Sequence, residues 1–374
     1  MKFQHEQLMD LGQRIFAAAG CSTEEAARVS RKLVESNLVG HDSHGVIRIP
    51  SYVQWLADGK VLAGQSIEVI TSDASVLVVD GKFGLGQTVG EQAIELGVQR
   101  AQQHGVAIVA LRNAGHLGRI GDWAEQAAAA GLISLHFVNT SGAGMLVAPY
   151  GGIDRRLSAN PLAAGVPRDG QPPLILDMSA CTIAEGKIRV SLNRGEQVPE
   201  GCIIDSAGQP TTEPKDFYAD PPGAILPIAG HKGFCLSMII EMLAGALTGG
   251  SCSNPVNAGR VINGMLSILI DRSRFGADAE FVPEVSRYVE FVKSSRKSAP
   301  NGEILMPGEM ECRTRAVRLE QGIDLDDVTR SQIAATADKL AVQHDLGAGS
   351  AAASRVTMPG CRPDEQTESQ ETQQ

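Results

Sequence analysis

From Ser75 to Thr140 short apolar runs alternate with stretches of helical periodicity, and that alternation commits the chain to an α/β core. "SVLVVDG" reads as a strand and "GQTVGEQAIELGVQRAQQHG" as a helix closed by glycine. "VAIVAL" is another strand, "RNAGHLGRIG" a loop, "DWAEQAAAAG" a helix and "LISLHFVNT" a third strand. Further on, "PPLILDMSA" and "GMLSILID" supply two more strands. The chain ends are different in texture. Leu8, Leu11, Ile15 and Phe16 recur at helical spacing up to Gly20. Ser22 with Glu25 offers a capping box for a second helix carrying Ala26, Val29, Leu33 and Leu38. "VRLEQGIDLDDVTRSQIAATADKLAV" returns to helix, and the small, polar, acidic stretch from about Leu346 is expected to be a disordered tail.

A net charge of −10 with no block of Lys or Arg excludes binding along a nucleic-acid backbone, which needs a basic stripe. The 7 cysteines are odd in number and scattered, with no C-x-x-C pair, so neither a disulfide framework nor a zinc knuckle is expected. The first 20 residues lack the unbroken apolar run of a signal peptide. "FCLSMIIEMLAGAL", from Phe234, is too short to span a bilayer, carries Glu241, and reads as a buried helix. A cytoplasmic protein is expected.

Two glycine-rich stretches invite a nucleotide. Gly84-x-Gly86-x-x-x-Gly90 resembles a dinucleotide-binding turn, but Asp80, Gly81, Lys82 and Phe83 separate it from its strand, and no acidic ribose ligand follows. Its plainer reading is a turn that packs a helix close to a strand. In "GHKGFCLSMIIEMLAG", Gly230 and Gly233 bracket His231 and Lys232 at a helix start, where free N–H groups and a lysine suit a pyrophosphate; a solvated helix entry fits equally well. Asp177, ending "LILDMS", can accept hydrogen bonds from ribose hydroxyls or simply cap a turn.

"HDSHGVIRIP", residues 41–50, holds two histidines, an aspartate, a serine and an arginine. Three chemistries compete for it. His41, Asp42 and His44 are metal-ligand types, but their spacing is no dedicated metal signature, and nothing in the sequence ties His116 or His136 to them. Ser43 as a hydrolase nucleophile would need an oriented base; sequence neighbours rarely face each other that way, and no G-x-S-x-G elbow exists. The third reading pairs an acid/base imidazole, His44, with a carboxylate-clamping guanidinium, Arg48, on one side of a helical turn over Gly45–Pro50. His116, flanked by glycines between a strand and a helix, is a second candidate imidazole.

Several blocks occur together: "HDSHGVIRIPSYV", "ALRNAGHLGRIGDWAEQAAAAGLISLHFVN", "SANPLAAGVP", "LILDMSA", "GHKGFCLSMIIEMLAGALTGG" and "MPGEMECRTR". Across about residues 5–340 the chain resembles the type-2 malate/L-lactate dehydrogenases, non-Rossmann NAD(P)-dependent 2-oxoacid reductases, and within them the hydroxycarboxylate dehydrogenase B branch. The resemblance implies a mixed-sheet α/β NAD(P)-binding domain over 73–290, three-layered, flanked by a helical N-terminal part over 1–72. A helical part over 291–345 packs with the latter, and the tail occupies 346–374. It implies His44 and His116 as acid/base groups, Arg48 as carboxylate ligand, Ser43 beside them, and NAD or NADP as cofactor. Cofactor contacts are implied at Asn139, Ser141, Asp177, Met178, Ser179, His231, Lys232, Gly308, Glu309 and Met310, with no metal. It further implies a homodimer acting on a small carboxylate, with no nucleic-acid or membrane partner. Family members that reduce cyclic imino acids make a piperideine- or pyrroline-2-carboxylate reductase the rival reading, and a metal-dependent lyase or hydrolase a more remote one. Where many relatives read "DMATS", this chain has "DMSAC", which places Cys181 near the cofactor stretch.

Overall fold

In the computed structural model, which describes residues 1–257, 259–276, 278–299 and 301–347, the alternation becomes a seven-stranded sheet. Its strands are β1 (Glu68–Ser72), β2 (Val76–Asp80), β3 (Val106–Ala114), β4 (Ile133–Gly142), β5 (Pro161–Arg168), β6 (Gln171–Ser179) and β7 (Val261–Ile270). They lie in the order β1-β2-β3-β7-β4-β5-β6, and every neighbouring pair is antiparallel except β2–β3. This is a mixed sheet and not a doubly wound Rossmann sheet.

The strands that the sequence did not announce are those without a two-residue period. All five residues of β1 are exposed, so no alternation marks it, yet it pairs with β2 and joins the sheet ahead of residue 73. β5 is built from "PLAAGVPR", too rich in small residues to stand out. β3 runs on through Asn113 and Ala114, into what reads as a loop.

The helices are α1 (His5–Ala18), α2 (Thr23–Leu38), α3 (Ile49–Ala57), α4 (Gly86–His104), α5 (Gly121–Ala129), α6 (Glu185–Arg194), α7 (His231–Ile240), α8 (Asp278–Lys293), α9 (Glu309–Gln321) and α10 (Asp327–Lys339). α4 and α5 cover one sheet face, packing Val89, Ile94, Trp123 and Ala127 onto Leu77, Leu111, Val138 and Met265. Burying side chains of this size stabilises by roughly 1.5–3 kcal/mol each. α7 and its π-helical continuation, Glu241–Ala246, cover the other face through Ile240 and Ala244 against Phe137 and Leu162. Three layers result. A separate apolar cluster, including Val147, Ile183, Ile203, Phe217 and Ile225, sits within the 73–290 stretch around a small three-stranded sheet.

The two ends of the chain share one core, in which Leu11, Ile15, Phe16, Leu33 and Leu38 meet Ile333 and Ala337 of α10. Lys2–Phe3 also pairs with Ile323–Asp324. Ser22 caps α2 by accepting from Glu25 N at 3.2 Å, but Glu25 leaves the expected box open, its carboxylate accepting from Gly64 N at 2.8 Å. Leu346, at the start of the expected tail, is buried in this core; the tail from residue 348 on lies outside the described residues.

The glycines of "GLGQTVG" are packing residues. A Cβ at Gly86 would overlap the His116 carbonyl, and one at Gly90 would lie 2.7 Å from the Trp123 ring. α7 departs from its expected burial: Met238, Ile239, Met242 and Leu247 are exposed, because only the stripe through Gly233, Ser237, Ile240, Glu241 and Ala244 faces the sheet. Among the described residues no helix is long and apolar enough to cross a membrane.

Candidate active site

α2 ends at Leu38, and two short 3-10 turns follow, Asp42–His44 and Val46–Arg48, separated by an extended Gly45 (φ −87°, ψ −152°). The helical turn expected over Gly45–Pro50 is present, with Val46–Arg48 running into α3, but His44 belongs to the separate turn before it. Gly45 is pressed on Asn37, whose amide a Cβ would overlap. That amide donates to Asp42 Oδ1 at 2.7 Å and accepts from Val46 N at 2.8 Å, locking both turns to the end of α2. Arg48 still arrives beside His44, because its Nε donates back to the Ser43 carbonyl at 2.6 Å. Its two terminal nitrogens have no partner among the described residues, which leaves a fork open to a carboxylate.

His116, on the loop after β3, stacks on His44 with ring centroids 5.5 Å apart and 16° between planes. Ser43 Oγ lies 2.9 Å from His44 Nδ1, so these sequence neighbours do meet, against expectation, because the 3-10 turn folds one over the other. Tyr52 OH lies 2.6 Å from His116 Nδ1, and Gln87 Nε2 donates to Tyr52 at 2.9 Å. Each imidazole is thus held at Nδ1 by a hydroxyl, leaving its Nε2 for a ligand. Tyr52 and Gln87 went unnoticed in the sequence. Their signals were slight: Tyr52 stands one helical turn beyond Arg48, and Gln87 sits inside the glycine motif.

Charge tuning follows from this crowding. Burial, then the His116 ring, then Arg48 hold His44 well below the usual imidazole range. Burial, then Arg48, bring His116 down to about 3. Both rings are neutral at neutral pH. Burial pushes the Tyr52 phenol up to about 12, so it stays a hydroxyl.

The remaining candidates form other groups. Asp177 on β6 accepts from Gly121 N at 3.0 Å and lies 4.0 Å from His41 Nδ1; burial raises its pKa, against the pull of His41 and Arg119. Gly308 (φ 88°) packs on Ile175, two residues before Asp177, where a Cβ would lie 3.3 Å away. Glu309 is engaged by Lys293 and by Met306 N, and Met310 is exposed. Ser179 Oγ donates to the Cys181 carbonyl at 3.1 Å, and Met178 precedes it on β6. The Asn139 side chain is fully occupied: it donates to Glu241 Oε2 and Ser251 O, both at 3.0 Å, and accepts from Gly264 N. Ser141 Oγ is buried without a partner among the described residues. His231 and Lys232 are exposed at the start of α7, beside no acidic residue in its first turn. His136, by contrast, is a core residue held between Ser134 and Ser267 at 2.9 and 2.8 Å. Among the described residues no group of three His, Cys, Asp or Glu side chains could hold a metal ion.

Two neutral imidazoles beside an open guanidinium fork have the chemistry for proton exchange next to a bound anion. The malate/L-lactate dehydrogenase family model matches residues 3–334. The chain belongs to that family. Hydroxycarboxylate dehydrogenase B of Escherichia coli O157:H7 is 40% identical over 332 residues, covering 87% of this chain and 90% of that protein. Among solved structures, malate dehydrogenase from Pyrococcus horikoshii superposes with a TM-score of 0.82 at 31% identity, over 92% of this chain and 96% of its own. A delta1-piperideine-2-carboxylate reductase from Pseudomonas syringae superposes with a TM-score of 0.77 at 31% identity, over 90% and 99% of the two chains.

Proposed function

We propose that this protein is a nicotinamide-dependent hydroxyacid dehydrogenase that interconverts a small 2-oxo carboxylate and its 2-hydroxy acid. The observation that carries this reading is the convergence of the His44 and His116 rings with the Arg48 fork. Arg48 takes the substrate carboxylate through parallel N–H donors, which fixes C2 and its oxygen beside the free Nε2 atoms. Ser43 and Tyr52 hold the rings in orientation. The guanidinium charge helps keep both rings neutral. A carboxylate on Arg48 cancels part of that charge, so substrate binding itself raises the affinity of the imidazole pair for the proton that the carbonyl oxygen must receive. In the oxidative direction a neutral ring is already a competent base.

The residues present fit a nicotinamide dinucleotide. The α7 start combines Gly230, the free N–H groups of His231 and Lys232, the exposed Lys232, without a partner among the described residues, and no acidic residue in its first turn, which suits a pyrophosphate. Asp177, with Met178, Ser179 and the Gly308–Met310 turn beside it, is the proposed lining for the rest of the cofactor, together with the Asn139–Ser141 strand end through its backbone. The nicotinamide ring, when bound, supplies or takes the hydride. The apolar face of Met238, Ile239, Met242 and Leu247 is the proposed seat of a second copy in a homodimer, testable by light scattering. All six described cysteines are unpaired, in keeping with a cytoplasmic setting.

Purified protein with NADH or NADPH and a panel of 2-oxo acids should lose absorbance at ~340 nm. Turnover of a cyclic imine with none of the oxo acids would shift the reading to the imino-acid reductase branch, and no turnover at all would overturn it.

A further inference from the structure

Helix α6 begins directly against the catalytic turn. A Cβ at Gly186 would lie 2.6 Å from Ser43 Cβ and 3.3 Å from its Cα, so the backbone of α6 rests on Ser43. Glu185, the residue before this contact, opens α6, and its carboxylate lies within electrostatic reach of Arg48. One of its oxygens is saturated: Oε1 accepts from Arg189 Nη2 at 2.6 Å, Arg189 Nε at 3.1 Å and Tyr218 OH at 2.8 Å. Oε2 has no partner among the described residues. Burial opposes the charge, yet Arg189, Arg48 and the Tyr218 hydroxyl hold this carboxyl below its ordinary range, so it is an anion.

We infer that Glu185 makes the site select 2-oxo monocarboxylates over dicarboxylates, an inference that rests on the hydroxyacid dehydrogenase reading. A monocarboxylate needs one cation, and the Arg48 fork supplies it. A second carboxylate on the α6 side of the site would meet the fixed Glu185 charge. The two cations that act on the Glu185 carboxylate from this side, Arg189 and Arg155, are already engaged. Arg189 donates both Nε and Nη2 to Glu185. Arg155 donates to the carbonyls of Gly223 at 2.7 Å and Phe217 at 2.5 Å and lies over the Phe217 ring. Discrimination of this kind works by repulsion of the wrong ligand rather than by added affinity for the right one.

The test compares 2-oxobutyrate with oxaloacetate, which have the same number of carbons and differ by one carboxylate. The wild-type enzyme should show the higher kcat/KM for 2-oxobutyrate. Glu185→Gln keeps the hydrogen-bonding shape and removes the charge, and it should raise the oxaloacetate-to-2-oxobutyrate ratio about fivefold or more. Arg189→Gln uncovers the Glu185 charge and should lower that ratio by a similar factor. Opposite shifts cannot arise from general loss of fold, and unfolding of one variant still leaves the other to read. Wild-type preference for oxaloacetate, or a ratio that moves the same way or stays put in both variants, would overturn the inference. Failure of the wild-type enzyme to reduce either acid with either nucleotide would instead overturn the dehydrogenase reading beneath it.

Discussion

Arg318 and Asp42, 276 positions apart, form a two-pronged ion pair, Nη1 to Oδ1 at 2.6 Å and Nη2 to Oδ2 at 3.0 Å. The same guanidinium donates to the Asn37 carbonyl, and one helix turn pair away Glu311 lies 3.5 Å from His41. Helix α9, near the end of the chain, thus clamps the turn that presents Ser43 and His44. The pair is partly exposed, so Arg318→Ala should lower stability by less than about 1 kcal/mol. Its effect on kcat should be larger, about tenfold, because a loosened turn misplaces His44. Steady-state kinetics beside thermal unfolding checks this; a kcat loss no greater than the stability change explains would refute the positioning role.

Tyr52→Phe removes the hydroxyl at His116 Nδ1 and leaves Gln87 without its acceptor. The expected outcome is a kcat lower by about tenfold or more with the KM for the oxo acid little changed, since Arg48 is untouched. An unaltered kcat would show that His116 needs no such orientation.

Arg48→Leu should act on the other parameter. Losing a forked, charge-assisted contact raises KM for the 2-oxo acid about a hundredfold, while nucleotide affinity measured by fluorescence titration stays as it was. A KM within a few-fold of wild type would remove Arg48 from the carboxylate site.

Gly86→Ala places a methyl group on the His116 carbonyl. Overpacking against backbone should cost about 1–3 kcal/mol and displace His116, so thermal stability and kcat should fall together. A variant as stable and active as the parent would mean that the loop yields freely.

His136 gives a stability signature independent of catalysis. Burial lowers its pKa to about 3, whereas in the unfolded chain it titrates near ~6.5. Above that value neither state binds the proton, and His136 adds no pH dependence. As pH falls toward about 3 only the unfolded chain takes it up, so stability drops by up to ~1.4 kcal/mol per pH unit. Chemical unfolding from pH 7 to 4 should therefore show a shallower acid decline in His136→Gln than in wild type. Identical slopes would contradict a neutral buried ring.

Much of this protein was legible along the chain. The strands with an apolar period, the helical ends and the "HDSHG" station all follow from spacing, because local periodicity and turn chemistry act between near neighbours. Edge strand β1 and small-residue strand β5 were not legible, since hydrogen bonds to other strands, rather than side-chain pattern, define them. Nor was the exposed face of α7, because an apolar helix does not say which of its sides meets a sheet. Sequence alone put His44, Ser43 and Arg48 into one short segment and marked His116 as a loop imidazole. Only the tertiary structure stacked the two rings, brought Tyr52 and Gln87 behind one of them, set Gly186 against Ser43, and tied Asp42 to Arg318. Those contacts join residues tens to hundreds of positions apart, and they exist only once the helical core has closed the chain ends over the sheet.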